Sequence, residues 1–233
     1  YRKKHPPGKS TRERCYLCQD AALAGDPQNH WAGDHNPHLA AMLESIDDGV
    51  GQITARLKAL GLDENTIVIF SSDNGGESNV TSNAPLRGGK SQLYEGGIRV
   101  PLIVSWPAHI PAGSVSRQQT ANIDHYPTLL AAAGAKADAK QKLDGTSLLR
   151  IWQKPDTQLK REPLYWHYPL EKPHFLGGRS SGAIRDGDWK LIENFTDNSV
   201  ELYHLANDPG EKVNLADQRL AKRTAMLDQL VAW

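Results

Sequence analysis

One stretch decides the fold, and it reads Thr66-Ile67-Val68-Ile69-Phe70-Ser71-Ser72-Asp73-Asn74-Gly75-Gly76. Residues 66–70 carry no charge and are mostly β-branched or aromatic, a pattern that predicts a strand buried on both faces. The two glycines then favour a turn. Asp73 and Asn74 are left at the carboxyl end of the strand, where open α/β sheets place their ligands.

Asp73 and Asn74 are the first candidate site residues. A carboxylate and an amide carbonyl are hard oxygen ligands, so the pair predicts a site for Ca²⁺ or Mg²⁺ rather than for a thiolate-seeking metal. Asp-Asn-Gly is also good turn chemistry. An Asx-turn that leaves the strand is therefore the alternative interpretation.

Glycine-rich motifs follow this strand in a fixed order. The segment 85–90 reads Pro-Leu-Arg-Gly-Gly-Lys, 94–101 reads Tyr-Glu-Gly-Gly-Ile-Arg-Val-Pro, and a second apolar strand is predicted over 102–107. Glycine pairs let the backbone approach a ligand closely. Lys90, directly after one pair, can act as a point charge for an oxyanion.

A long helix precedes the first strand. Asn36 is a good cap with Pro37 at the first helical position, and Gly61 predicts the end of the helix. Apolar residues recur between them at spacings of three and four, which gives the helix one apolar face. A helix feeding a buried strand predicts an α/β fold with a mainly parallel sheet flanked by helices.

The pattern changes in the last third of the chain. Short strands are predicted at 164–168, 182–193 and 200–205, with a hairpin turn at Asp186-Gly187, and a final helix begins near residue 217 or 219. We therefore expect two domains. Residues 1–160 form a portion of the α/β core, and residues 161–233 form a small antiparallel subdomain with a terminal helix.

Composition excludes several classes of protein. Among the 233 residues, 27 basic side chains balance 27 acidic ones, so neither nucleic acid nor an anionic membrane is an expected partner. No stretch approaches the ~20 apolar residues that span a bilayer. Cys15 and Cys18 lie in a polar, basic segment, where a local disulfide or two structural thiols are expected.

The ordered motifs resemble the C-terminal part of a formylglycine-dependent sulfatase of the arylsulfatase type, within the alkaline-phosphatase-like superfamily. The resemblance covers the strand, the glycine motifs and four further segments: 39–47, 124–130, 183–192 and 201–211. It implies that Asp73 and Asn74 bind Ca²⁺, with Mg²⁺ less favoured, and that Lys90 contacts the sulfate.

The same resemblance indicates further roles. The aromatic strand around His167 helps to shape the substrate pocket of related sulfatases, so His167 is a candidate substrate-binding residue. Its alternative is a packing role in the small sheet. His174 and Arg179 follow in a Gly- and Pro-rich loop. Arg87, Glu95 and Arg99 are expected to shape the glycine-rich loop through ion pairs.

The family's nucleophile is not found in this chain. Neither Cys15 nor Cys18 has the Cys/Ser-x-Pro-x-Arg frame that is converted to formylglycine, and His5 lies on the wrong side of the matching segment. Formylglycine is therefore expected in a missing N-terminal part of the same sulfatase, which would be the chain's partner. We expect the 233 residues alone to be inactive.

The expected activity of the parent enzyme is cleavage of sulfate from an aryl or carbohydrate sulfate ester. A phosphatase, phosphodiesterase or phosphonate hydrolase of the same superfamily is one alternative. A non-catalytic remnant that binds sulfated glycans is the other. The resemblance also implies a periplasmic, secreted or lysosomal protein.

Overall fold

The computed structural model describes residues 36–233, and His5, Cys15 and Cys18 lie outside this range. The described elements, in chain order, are α1 (Pro37–Ala59), β1 (Val68–Ser71), α2 (Glu95–Ile98), β2 (Leu102–Ser105), α3 (His125–Ala132), α4 (Leu149–Gln153), β3 (Leu164–Tyr168), β4 (Ser181–Asp186), β5 (Trp189–Asn194), β6 (Val200–His204) and α5 (Leu220–Ala232). None of these helices is both long enough and apolar enough to cross a bilayer.

The described residues divide into two compact units. The first unit comprises residues 36–52, 74–100 and 165–233, and the second comprises residues 53–73 and 101–164. Each unit has its own strands and its own apolar core.

Helix α1 begins and ends where the sequence predicts. The Asn36 side chain accepts hydrogen bonds from the amides of His38 at 3.0 Å and Leu39 at 3.3 Å, which caps the first turn. Gly61 ends the helix with a φ of 67°, a left-handed conformation that glycine adopts without strain. The predicted apolar face is largely uncovered, however, since Leu43, Ile46, Ile53 and Leu60 are exposed.

The second unit contains β1 and β2, which pair antiparallel with Ile69 opposite Val104 and Phe70 opposite Ile103. Ile69 and Val104 pack on the core cluster of α4 that is centred on Leu148. Phe70 and Ile103 are on the other face, where Ile103 is 60% exposed. The prediction that this strand is buried on both faces is therefore wrong for the described residues, because they supply a cover for one face only.

Asp124 connects three segments of the second unit through its side chain. The buried Asp124 carboxylate accepts hydrogen bonds from the Ala121 amide at 2.7 Å and the Thr146 amide at 2.8 Å. It also pairs with Arg161 at 2.7 Å. Because its oxygens are engaged by these donors, Asp124 ties the start of α3 to the segment before α4.

The first unit contains an antiparallel sheet in the order β3-β4-β5-β6. Ile184, Leu191 and Leu202 face one another across β4, β5 and β6, and they pack on Met226 and Leu230 of α5. The small antiparallel sheet and the C-terminal helix are thus present as predicted. The pairings of β1 with β2, β4 with β5 and β5 with β6 are all antiparallel, so none of them is the parallel pairing predicted for the core.

Candidate functional site

Three glycine pairs form a closely packed backbone layer in the first unit, namely Gly75-Gly76, Gly88-Gly89 and Gly96-Gly97. A Cβ atom on Gly75 would overlap the Gly96 carbonyl oxygen, and a Cβ atom on Gly89 would lie 2.5 Å from the Gly76 carbonyl oxygen. Glycine permits this approach because it has no side chain. The layer therefore packs main chain directly against main chain.

Hydrogen bonds fix this layer beneath Lys90. The Gly75 amide donates to the Gly97 carbonyl at 2.8 Å, and the Lys90 amide donates to the Gly76 carbonyl at 3.1 Å. The Asn83 side chain accepts from the Gly76 amide at 2.9 Å and donates to the Gly76 carbonyl at 2.7 Å. These bonds hold the backbone of Lys90 at a defined place.

Lys90 itself is exposed. Within residues 36–233, no carboxylate pairs with its ammonium group. The next residue, Ser91, has a φ of 72°, a left-handed conformation that costs a non-glycine residue about 1–3 kcal/mol. The chain therefore turns sharply after Lys90. Because the Lys90 side chain is exposed, its charge remains available to an anion.

The opposite face of the small sheet supports the loop that carries Lys90. Successive strand residues point to opposite faces, so Arg185, Lys190 and Tyr203, which are aligned across β4, β5 and β6, face away from α5. Each of these three residues contacts a residue of segment 87–99. Segment 87–99 therefore packs on this face of the sheet and is hydrogen-bonded to it.

A buried charge cluster, defined by Glu95, Lys190 and Glu211, joins segment 87–99 to the small sheet. All three side chains are 0% exposed. The Lys190 ammonium lies 3.1 Å from a Glu95 oxygen and 2.8 Å from a Glu211 oxygen. Arg185 pairs with Glu95 at 3.3 Å, and the exposed Arg99 lies 3.8 Å from the same carboxylate.

The cluster is also tied to the backbone, because the Glu95 amide donates to the Glu211 carboxylate at 2.7 Å. Burial raises the pKa of Glu211, while the neighbouring Lys190 ammonium acts in the opposite direction. Burial lowers the pKa of Arg185. The cluster therefore depends on each charge having its partner in place.

Arg87 fixes the beginning of the same loop. Its guanidinium carbon lies 3.9 Å from the centre of the Tyr94 ring, and the group donates to the Tyr203 hydroxyl at 2.7 Å and to the Glu211 carbonyl at 3.1 Å. The Tyr94 and Tyr203 hydroxyls both donate to the Glu201 carboxylate. Arg87, Glu95 and Arg99 do form the ion pairs that the sequence predicts.

These contacts predict a loss of stability in alkali. Burial and the nearby Glu201 carboxylate raise the pKa of Tyr94 to about 12, from an ordinary value of 10.0. The folded chain retains a proton that the unfolded chain loses, so stability should fall as pH rises from about 10 to about 12. Urea unfolding across this range measures the effect. The Tyr94→Phe variant should show a shallower fall, and an unchanged slope would contradict this origin.

Asp73 and Asn74 are consecutive in the chain but belong to different units. Asp73 is the last residue of a segment of the second unit, and Asn74 is the first residue of a segment of the first unit. Asp73 is exposed. The Asn74 amide nitrogen donates to the Gly75 carbonyl at 2.9 Å, so Oδ1 is the atom of Asn74 with ligating character. This oxygen donor set fits Ca²⁺ chemically, but it is small against the ~6–8 oxygens that Ca²⁺ takes. Residues 36–233 contain no group of three or more His, Cys, Asp or Glu side chains arranged to hold a metal.

His167 lies in a groove of about 470 Å³ in the first unit. The groove is lined by Phe195, Glu193 and Gly182 from the sheet and by the end of α5. The His167 ring lies 5.3 Å from the Phe195 ring. No hydrogen bond or ring contact among the described residues joins His167 to the Lys90 turn, so its substrate-binding role stays a prediction.

Sequence reasoning missed the supporting residues Lys190, Glu201, Tyr203 and Glu211. The available signal was the position of Lys190 between Trp189 and Leu191, on the strand face opposite theirs. A lysine in that pattern indicates a solvated face. Its buried partners are distant in the sequence, since Glu95 lies nearly a hundred positions before Lys190 and Glu211 lies more than twenty positions after it. The local pattern alone therefore does not reveal them.

Two family models match the chain. The model described as Sulfatase covers residues 5–135, and the model described as N-sulphoglucosamine sulphohydrolase, C-terminal, covers residues 89–232. The matches overlap across the Lys90 loop, and each spans more than half of the 233 residues. The chain belongs to the sulfatase family.

Individual relatives agree with this assignment. A sulfatase of Formosa agariphila is 38% identical over 215 residues, which is 83% of this chain and 39% of the relative. An N-acetylgalactosamine-6-sulfatase of Mus musculus is 38% identical over 179 residues, or 74% of this chain and 32% of the relative. The chain thus spans well under half the length of these curated relatives.

A solved structure confirms the fold. The crystal structure of Ps i-CgsB in complex with k-i-k-neocarrahexaose superposes with a TM-score of 0.73 at 35% identity, over 83% of this chain and 42% of that one. The chain therefore has the α/β, alkaline-phosphatase-like fold of sulfatases, with the small antiparallel sheet and the C-terminal helix.

Proposed function

We propose that this chain is the C-terminal part of a sulfuric ester hydrolase that removes sulfate from an aryl or carbohydrate sulfate ester. One observation carries the proposal. Lys90 presents an exposed ammonium group on a rigid glycine layer, and no carboxylate of residues 36–233 neutralises it. Such a group is suited to binding a sulfate oxygen and to stabilising charge that develops on it.

Asp73 and Asn74 are proposed to supply part of a Ca²⁺ site. Their oxygens are hard ligands, and further ligands would come from outside the described residues. When bound, the cation would act as a Lewis acid toward a sulfate oxygen. In this arrangement Lys90 pairs with another sulfate oxygen or with the bridging oxygen, and the glycine layer holds the backbone from which its side chain extends.

The nucleophile is proposed to be a formylglycine in an N-terminal part of the same sulfatase. This proposal rests on the absence of a Cys/Ser-x-Pro-x-Arg frame around Cys15 and Cys18. It also fits the share of the relatives' length that the chain spans. The 233 residues would then bind Ca²⁺ weakly and turn over no sulfate ester alone.

The test compares the 233-residue chain with the longer enzyme that contains it. Both are incubated with Ca²⁺ and with a phenyl sulfate, a hexosamine 6-sulfate and a phenyl phosphate. We expect sulfate release by the longer enzyme only. Preferred hydrolysis of the phosphate would favour the phosphatase alternative, and binding of the sugar sulfate without turnover by either protein would favour a non-catalytic glycan binder.

A further inference from the structure

The side-chain amide of Asn83 joins two of the three glycine pairs. Its Oδ1 accepts a hydrogen bond from the Gly76 amide at 2.9 Å, and its Nδ2 donates to the Gly76 carbonyl at 2.7 Å and to the Gly88 carbonyl at 3.1 Å. An asparagine amide has two N–H donors, and both are used here. Asn83 therefore connects Gly75-Gly76 to Gly88-Gly89 through three side-chain bonds.

Two glycines leave the space that this amide occupies. A Cβ atom on Gly76 would lie 2.9 Å from the Asn83 Oδ1, and a Cβ atom on Gly89 would lie 2.7 Å from its Nδ2. The backbone of Asn83 is fixed as well, because the Leu86 amide donates to the Asn83 carbonyl at 2.9 Å. The amide is therefore held in one place by the turn that carries it and by the glycines around it.

The Gly76 peptide connects the two groups that are proposed to bind cation and sulfate. It follows the proposed Ca²⁺ ligand Asn74 by two residues, and its carbonyl oxygen accepts a hydrogen bond from the Lys90 amide at 3.1 Å. The same oxygen accepts the 2.7 Å bond from Asn83, so both of its lone pairs are used. Asn83 thus fixes the peptide group to which the backbone of Lys90 is hydrogen-bonded.

A second contact fixes the chain just before Lys90. Gly88 lies two residues before the lysine and has a φ of 73°, so the chain bends there as well as at Ser91, where φ is 72°. With two bends so close together, the direction of the Lys90 side chain depends on small backbone rotations. Because Asn83 holds the Gly88 carbonyl and the Gly76 peptide at once, it restricts these rotations.

We propose that Asn83 is a positioning residue that places the Lys90 ammonium group relative to the Asn74 ligand, and that it acts on the reaction through Lys90. The inference rests on the proposed function, in which both groups act on one sulfate. Without the Asn83 amide, three hydrogen bonds are lost and the Lys90 turn can shift relative to segment 74–76. A shift of about 1 Å at a reacting group lowers a rate by about 10²-fold.

The test is a double-mutant cycle in the longer enzyme, in which Asn83→Ala, Lys90→Ala and the double variant are assayed on one aryl sulfate. Asn83→Ala should lower kcat/KM by about 10- to 10²-fold, mainly through kcat, because positioning matters most in the transition state. In the Lys90→Ala background the same change should cost less than about threefold, because no ammonium group remains to be positioned.

Asn214→Ala is the matched control. The Asn214 Oδ1 accepts from the Leu202 amide at 3.0 Å and from the Ala216 amide at 2.9 Å, so its loss should destabilise the same unit without reaching the Lys90 turn. Its kcat/KM should stay within about twofold of the wild-type value, while urea unfolding compares its loss of stability with that of Asn83→Ala. Asn83→Ser, a milder change, passes through the same cycle and keeps the test valid if Asn83→Ala does not fold.

Two outcomes separate this inference from the proposed function. An equal loss from the Asn83 change with and without Lys90, or a loss below about threefold in the wild-type background, would overturn the positioning role and leave the sulfate site intact. A loss of about threefold or less in Lys90→Ala, or an absence of sulfate release by the longer enzyme, would refute the sulfate site and the positioning role with it.

Discussion

Replacing Lys190 by Met is expected to lower the free energy of unfolding of this chain by about 3–5 kcal/mol. Lys190 is fully buried between the carboxylates of Glu95 and Glu211, which are equally buried. Methionine keeps most of the volume, but among residues 36–233 it leaves only Arg185 and the more distant, exposed Arg99 to balance the two carboxylates. The penalty arises because an unpaired buried charge has lost both its hydration and its partner.

Urea unfolding followed by circular dichroism measures this change. Arg99→Met is the matched control, since Arg99 is 55% exposed and lies 3.8 Å from Glu95, and it should cost less than about 1 kcal/mol. Adding Glu211→Gln to Lys190→Met should recover part of the loss, because one uncompensated charge is removed. A loss below 1 kcal/mol in Lys190→Met would mean that the cluster does not hold the loop.

Replacing Lys90 by Ala in the longer enzyme is expected to lower kcat/KM for a sulfate ester about 10²–10³-fold, the range seen when one charge-stabilising donor is removed. The glycine layer and the Asn83 hydrogen bonds do not involve the Lys90 side chain, so the backbone of the turn should be retained. The loss therefore reports the ammonium group rather than the fold. Arginine should restore only part of the activity, because its planar fork is not a point charge.

Steady-state kinetics with one aryl sulfate and one sugar sulfate provide the measurement. Lys136→Ala is the control, because Lys136 is an exposed lysine of the second unit and should leave both substrates unaffected. A threefold or smaller change in Lys90→Ala would remove Lys90 from the sulfate site. A loss confined to KM would indicate that the lysine binds sulfate without stabilising the transition state.

The local elements could be predicted from the sequence because their signals are local. Asn36 and Gly61 set the ends of α1, and the Asp186-Gly187 turn set the hairpin of β4 and β5. Lys90 was named as a candidate because it follows a glycine pair. The residues that support the loop could not be predicted in the same way, since a lysine is normally solvated and Lys190 is buried only because Glu95 and Glu211, distant in the sequence, pair with it.

The strand that led to the family was predicted to be buried on both faces, and its burial depends on more than its own residues. Phe70 and Ile103 have the apolar character of covered positions, but among residues 36–233 only the Ile69 and Val104 side has a partner. An apolar sequence predicts that a strand face is buried. It does not identify the segment that packs on that face.

The glycine layer limits how the proposed sulfate site can change by substitution. Where main chain rests on main chain, there is no side chain to exchange, and almost any substitution at Gly75, Gly89 or Gly97 meets backbone. On the proposed role of Lys90, the layer fixes the backbone of the sulfate-binding lysine, and changes in specificity would have to arise in side chains outside its six glycines.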